Sequence, residues 1–362
     1  MKKIILKIAL FATLLLTSSI SFSQEDSAIN VPATIFSGAA DGYYKSSFSN
    51  QIDPYTSFTK SNKSFELGML SFNITHKKGK ASFVADIGFG KRAKEFTYND
   101  ASEFYMVRQL NMSYEVSSTF KLTAGSFPTH IGYELVDAVL NKNYSMSYAF
   151  TYGPFFNTGL KAIYTPGKFN FMFGFVNPTD FKTAIEAGSN QKTFIGQIGY
   201  TGATGSAFLN MTSGSMNYNV GAANSLNTKN RTQFDLVATK KVNDDFGLGF
   251  NATYAIVNDD IDLALDGNWF SVVGYASYQF KDVLSLHYRL EYFDDSDAVA
   301  AFVGGVGANV VCNTLSLDYK VGNLTLIPEL RLDNASAGVY LDKNGNTSKS
   351  SGSILFATTY TF

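Results

Sequence analysis

From Lys168 to Val176, Phe169, Phe171, Phe173 and Phe175 alternate with Asn170, Met172 and Gly174. Side chains repeat every two residues only in an extended strand, so this pattern cannot sit on a helix. The same period recurs along the chain. Phe246, Leu248, Phe250, Ala252, Tyr254 and Ile256 oppose Gly247, Gly249, Asn251, Thr253 and Ala255. Phe83, Ala85, Ile87 and Phe89 oppose Ser82, Asp86 and Gly88, and Leu324, Leu326, Leu330 and Leu332 oppose Thr325, Glu329, Arg331 and Asp333.

Read in order, the alternation predicts sixteen strands: 34–46, 63–76, 80–91, 104–117, 119–127, 154–165, 168–176, 192–202, 205–214, 230–241, 244–257, 269–280, 283–294, 310–321, 323–333 and 351–362. In the second, Leu70, Phe72 and Ile74 share a face, but Phe65, Leu67 and Met69 have the opposite parity, which predicts a β-bulge. The connections alternate in length. Short ones such as Lys77–Gly79, Pro166–Gly167 and Lys281–Asp282 are followed by long ones at 47–62, 92–103, 128–153, 177–191, 215–229, 258–268, 295–309 and 334–350. An even strand count with every long loop at one end is the layout of an all-β, closed antiparallel transmembrane β-barrel with short periplasmic turns and long outer loops. A soluble sandwich has no reason to segregate its loops this way.

The two faces carry the chemistry that such a barrel needs. One is rich in Phe, Leu and Tyr, as lipid contact requires. The other places Lys161, Arg231, Asp235, His287, Arg289, Glu291, Asp318, Lys320, Glu329 and Arg331 toward the interior. A water-filled lumen accepts these ions, whereas each unpaired ion in a protein core would cost several kcal/mol. Closure also pairs every backbone N–H and C=O, which lipid cannot do. Alternation in the last strand ends on Tyr360 and Phe362, a terminal aromatic signal of the kind the outer-membrane assembly machinery reads in bacterial barrels.

The N-terminus is expected to be a leader. Lys2, Lys3 and Lys7 precede the apolar run Ile8–Leu16 and the small-residue site Ser21-Phe22-Ser23, so residues 1–23 read as a cleaved signal peptide and 24–362 as one barrel domain. Lys and Arg total 29 and Asp and Glu 30, and losing the three leader lysines moves the net charge from −1 to −4, which gives no reason to expect nucleic acid. Cys312 is the one cysteine, which rules out an internal disulfide and reads as an unpaired structural residue.

Two stretches carry a family resemblance. The sequence GSFPTHIGYE, followed by LNKNYSMSYAF and GPFFNTGLKAIYTP (residues 125–166), resembles the OmpL-like β-barrel porins of Bacteroidetes outer membranes, and Ser37-Gly38-Ala39-Ala40-Asp41-Gly42-Tyr43-Tyr44 is similar to that family's first strand. The resemblance implies a diffusion channel and brings no catalytic residues with it.

The long interval from Phe127 to Gly153, the third outer loop of eight, is expected to fold inward and narrow the lumen. Its candidate constriction residues are His130, Glu134, Asp137 and Lys142. Two arrangements stay open. Glu134 and Asp137 face Arg231, Arg289 and Arg331 across water and set up a transverse field, or these charges are solvated or pair locally. Phe127, Tyr133, Tyr144, Tyr148 and Phe150 either line a solute path or anchor the loop.

Three other sets of residues carry chemistry that can be weighed. His287, Arg289 and Glu291 form an i, i+2, i+4 ladder, which in a porin wall is an ordinary charge ladder before it is an acid–base site. An outer-membrane hydrolase would need a Ser–His pair at the lipid-facing rim, and His287 has the wrong parity. Asp342-Lys343-Asn344-Gly345-Asn346 begins like a calcium loop but has Gly at the fourth position and Ser353 where Glu would close it, so a tight turn is the expectation. Asp259, Asp260, Asp262 and Asp266 make a solvated acidic loop or bind divalent ions and bridge lipopolysaccharide through them. No catalytic residues, metal site or cofactor are assigned. The expected function is passive diffusion of small hydrophilic solutes through the outer membrane, with lipid and lipopolysaccharide around the barrel and a homo-oligomer as one possible assembly. The alternative is a structural or interaction barrel that binds partners through its outer loops.

Overall fold

A computed structural model of the chain describes residues 33–97, 105–182, 192–217, 228–259 and 266–362. The leader reading, residues 1–23, lies outside them. So do Asp260 and Asp262 of the acidic loop.

Among the described residues, sixteen strands close into one antiparallel barrel. In chain order they are β1 (Ala33–Ser47), β2 (Ser64–Lys78), β3 (Ala81–Phe89), β4 (Val107–Glu115), β5 (Phe120–Pro128), β6 (Phe156–Tyr164), β7 (Phe169–Val176) and β8 (Thr193–Thr201). There follow β9 (Gly205–Asn217), β10 (Thr228–Lys241), β11 (Phe246–Asp259), β12 (Gly267–Lys281), β13 (Leu284–Asp295), β14 (Ala308–Val321) and β15 (Leu324–Ala335). A small hairpin of β16 (Tyr340–Leu341) and β17 (Thr347–Ser348) precedes the closing strand β18 (Ser350–Thr361). Every predicted strand is present. Each strand pairs with its sequence neighbour, and β1 pairs with β18 from Ala39↔Thr361 to Ser47↔Ser353. Gly38 and Phe362 exchange a further pair of backbone hydrogen bonds at 2.9 and 3.0 Å, so the sheet has no open edge.

The predicted bulge is real. Register shifts between Ala40 and Gly42 of β1, opposite Leu70 and Leu67. Phe65 and Leu67 are 86% and 82% exposed on the outer wall, Met69 turns into the lumen, and Leu70 and Phe72 face outward again. A second bulge, not read from the sequence, falls between Asp86 and Ile87, which pair with Gln109 and Val107. It leaves Arg108 unpaired in the ladder and buries its side chain inside the barrel. The strand predicted to begin at 104 begins instead at Val107. The one predicted to reach 91 stops at Phe89, because Lys91–Phe96 is a short helix, α1.

The outer wall is apolar along its whole circuit: Phe173, Leu209, Phe250, Tyr288, Leu315 and Phe356 are all substantially exposed. In water these rings and chains would be a liability, and against lipid they are the required surface. Tyr360 and Phe362 belong to this outer face, and Phe362 packs edge-on to Phe72.

Candidate functional site: the third loop inside the barrel

The segment between β5 and β6 folds into the lumen and is fixed there by the wall. It contains a 3₁₀ turn at Ala138–Leu140 and a short helix, α2 (Tyr148–Tyr152). Wall carboxylates accept from its backbone. Glu329 takes the N–H groups of Tyr144 (2.7 Å) and Ser145 (3.1 Å), and Glu291 takes those of Tyr148 (2.9 Å) and Ala149 (2.8 Å). Asp235 takes the N–H of Gly132 at 3.0 Å. These N–H groups would otherwise be orphaned. Those at the start of α2 are satisfied by Glu291 and by Ser147, whose hydroxyl accepts from Phe150 N.

Wall arginines donate to the loop's carbonyls. Arg289 reaches Ser145 O at 2.6 Å, Arg331 reaches Met146 O at 2.7 Å, and Arg231 reaches Tyr152 O at 2.8 Å. Arg289 also grips the loop's Glu134 at 2.6 Å, and the second Glu134 oxygen accepts from Ser147 N and Oγ at 2.8 Å. Asp137 forms a two-pronged pair with Arg108 at 2.8 and 2.5 Å. In strand order β13, which carries Arg289, lies seven steps from β4, which carries Arg108. The loop is therefore strung between nearly opposite walls.

This corrects the expectation of a transverse field. Arg231, Arg289 and Arg331 do not face Glu134 and Asp137 across water. They are buried and bonded to loop carbonyls, with Arg289 and Arg331 also in direct ion pairs, the local-pairing arrangement left open by the sequence. Nor do the four constriction candidates form one cluster. Glu134 and Asp137 are paired against different walls, and His130 Nε2 donates to Met211 O of β9 at 2.9 Å. Only Lys142 is exposed. The remaining wall residues lie on the inner face as expected. His287 contacts Ser277 through Nδ1 (2.9 Å) and Asp318 through Nε2 (3.5 Å), while its ladder neighbours Arg289 and Glu291 serve the loop, so the ladder does not assemble as an acid–base unit.

The loop aromatics anchor rather than line. Phe127, Tyr144, Tyr148 and Phe150 are buried, Tyr148 stacks on Phe293 at 4.9 Å, and Tyr133 stacks on Tyr275 at 4.1 Å. The first outer loop packs above. Phe58 meets Phe150, Ser57 N donates to Thr151 Oγ1 at 3.0 Å, and Tyr152 OH donates to Tyr55 O at 2.9 Å. Below the loop the inner wall is polar and partly solvent-exposed, with Asn73, Lys121, Lys161, Asn170, Gln197 and Lys320 on different strands.

Sequence reading missed Arg92, Arg108 and Asp41. Asp41 sits at the first bulge and accepts from Tyr144 OH (2.5 Å), Met69 N (3.1 Å) and Arg92 (3.5 Å). Its shared parity with inward-facing Tyr43 on the first strand was the available signal; α1, which delivers Arg92, gave none.

The suspected calcium loop is a turn. Asp342 accepts from Asn344 N (2.8 Å) and Asn346 N (2.9 Å), and Gly345 takes a φ of 82° that favours glycine. Those backbone donors, Asn346 first, hold the Asp342 carboxyl below its ordinary range. Cys312 is buried and free.

Solved outer-membrane proteins share this fold. The anion-selective porin from Comamonas acidovorans superposes with a TM-score of 0.61 at 13% identity, covering 92% of this chain and 100% of the porin. The in-vitro folded OmpT of Vibrio cholerae in its trimer form gives 0.62 at 11%, covering 91% and 99%. The outer membrane channel DcaP of Acinetobacter baumannii gives 0.60 at 12%, covering 91% and 97%. At these identities the likeness is one of fold. No curated protein matches the sequence. The family match is of a different kind, because it runs over nearly the whole described barrel: residues 34–362 match, and the chain belongs to the family described as putative beta-barrel porin-2, OmpL-like.

Proposed function

We propose that this porin-like barrel is an outer-membrane channel through which small hydrophilic solutes and ions diffuse passively, narrowed by its third loop. One observation carries the reading. The loop is clamped inside the lumen to nearly opposite walls, through Glu134–Arg289 and Asp137–Arg108, and the inner surface beneath it is polar and partly open to solvent. A barrel of this strand number encloses more space than its own side chains fill, so an unfilled lumen would leak, and an internal loop converts it into a filter. The selection is steric and electrostatic and involves no bond chemistry.

A second reading has its own support. The first loop lies over the third, with Thr56, Ser57, Phe58 and Thr59 all buried. That packing suits a barrel whose outer mouth is closed and whose loops form a binding surface. Planar-bilayer recording of the folded protein separates the two. Stable conducting steps support the channel; silence from protein that keeps its heat-shiftable folded band on a gel rules it out and favours the closed barrel.

A further inference from the structure

Two sets of interior cations differ in their partners. In the outer half each buried arginine Arg92, Arg108, Arg289 and Arg331 holds a carboxylate: Asp41, Asp86 and Asp137, Glu134, and Asp333 respectively. Toward the periplasmic turns the pattern changes. Lys121 on β5, Lys161 on β6, Lys320 on β14 and Lys142 on the loop form no ion pair among the described residues. Lys161 Nζ lies 4.0 Å over the Phe127 ring, which leaves its charge uncompensated by any anion.

These lysines sit as two pairs on the inner face. Lys121 pairs in register with Ile163 and Lys161 with Thr123, so the two lysines are diagonal neighbours on β5 and β6, while Lys142 precedes Asn143, which is bonded to β14, the strand that carries Asp318 and Lys320. The loop is held at this level because Asn143 Nδ2 donates to Ser316 Oγ of β14 at 2.8 Å. In the closed strand order β6 and β14 are eight steps apart among sixteen, so the two pairs occupy opposite walls. The nearby carboxylates do not balance them. Glu115 is held by Lys77 at 2.7 Å, and Asp318 contacts His287 at 3.5 Å. Four ammonium groups thus line opposite sides of the path beneath the loop, beside the mutually paired Lys77 and Glu115 and one further carboxylate, Asp318, shared with a histidine.

We infer that Lys121, Lys142, Lys161 and Lys320 form an anion-attracting vestibule, so that the channel favours small solutes bearing carboxylate, phosphate or sulfate groups. The inference rests on the channel reading above and names its solute class. Ammonium groups on a flexible stem are strong point charges that exchange one anion for another without a fixed geometry, which suits transit better than capture. Their fields reach about 8–10 Å into the lumen at physiological salt, from two opposite walls.

The test is the reversal potential of full-length protein in a planar bilayer across a tenfold potassium chloride gradient. Wild type is expected to pass chloride over potassium by about threefold or more. The quadruple change Lys121→Gln, Lys142→Gln, Lys161→Gln and Lys320→Gln is expected to bring that ratio to about one. Lys142→Gln alone, at an exposed loop position outside every hydrogen bond, gives an intermediate ratio, and Lys142→Arg restores it. Inorganic phosphate reduces the chloride current in wild type more than in the quadruple variant. A conducting wild type that is non-selective or prefers potassium overturns the anion inference and leaves the channel standing. An unchanged ratio in Lys142→Gln and in the quadruple variant overturns it too. Folded protein that never conducts overturns both.

Discussion

Glu134 Oε1 lies 2.6 Å from a terminal nitrogen of Arg289, and neither side chain is open to solvent. The residues are far apart in sequence, one on a loop that entered the lumen and one on β13. Removing one partner of a buried pair strands the other, at a cost of about 3–5 kcal/mol. Arg289→Ala would leave Glu134 with only the donors of Ser147, and would also free Ser145 O. We expect the variant barrel to assemble, with the loop partly released. Single-channel steps should become larger and noisier than in wild type. Glu134→Gln, which keeps a carbonyl acceptor, should do less. Identical step size and noise in Arg289→Ala would show that the pair does not hold the loop.

At Gly68 the backbone lies hard against the Asp41 carboxylate. A Cβ there would stand 1.8 Å from Asp41 Oδ2. Asp41 cannot simply swing aside, because it holds Tyr144 OH, Met69 N and Arg92. Gly68→Ala should therefore destabilise the β1–β2 seam by about 1–3 kcal/mol, the range for overpacking a filled site. The readout is the temperature at which the folded band shifts to the unfolded position on a gel, which should fall. Tyr144→Phe, which removes one hydrogen bond to the carboxylate worth about 1.5–3 kcal/mol but adds no clash, should lower it by a comparable amount. An unchanged transition in Gly68→Ala would mean that the bulge relaxes freely.

What the sequence made legible follows from locality. Alternation within a strand is a property of neighbouring residues, so the wall, its faces and the first bulge could be read: the parity conflict between Leu67 and Leu70 is the bulge. Arg108 could not be placed, because strict alternation with Leu110 puts it on the lipid face and only the skipped pairing opposite Asp86–Ile87 turns it inward. The inward course of the third loop was legible from its length and aromatic content. Its clamps were not, since whether Arg289 faces water or Glu134 depends on contacts distant in sequence. Lys142 and Lys320 illustrate the same limit. Each was named as an interior charge, but the absence of a carboxylate partner, which gives them their role, exists only in three dimensions.

Asp342 gives a pH-dependent signal outside the barrel wall. Its carboxyl is held below the ordinary value of 3.8 by the N–H groups of Asn346 and Asn344 at the tip of the β16–β17 hairpin. A depressed folded value means that the turn gains stability above the unfolded pKa and loses it as pH falls through the folded one. The hairpin should thus stay ordered at neutral pH and loosen on strong acidification. Carboxyl chemical shifts of Asp342 should titrate below those of a free aspartate, and Asp342→Asn should abolish the pH dependence of the neighbouring amide shifts. A titration at the ordinary value would place the donors too far away to matter.

The third loop offers the most direct test of how this barrel restricts passage. Deleting Glu134–Ser147 removes the residues that pair with Arg108, Arg289 and Glu329, and with them the bridge between β4 and β13. The wall should still close, because β5 and β6 pair from Phe120↔Tyr164 to Pro128↔Phe156 without help from the loop. The freed arginines and glutamates would then face water, where ionisation is cheap, instead of a filled interior. Conductance should rise severalfold. Selectivity should pass to the residual wall charges, with Lys121, Lys161 and Lys320 still present and Lys142 gone. Unchanged conductance from a folded deletion barrel would show that the constriction lies elsewhere, and the loops stacked above, beginning with Thr56–Thr59, would be the next place to cut.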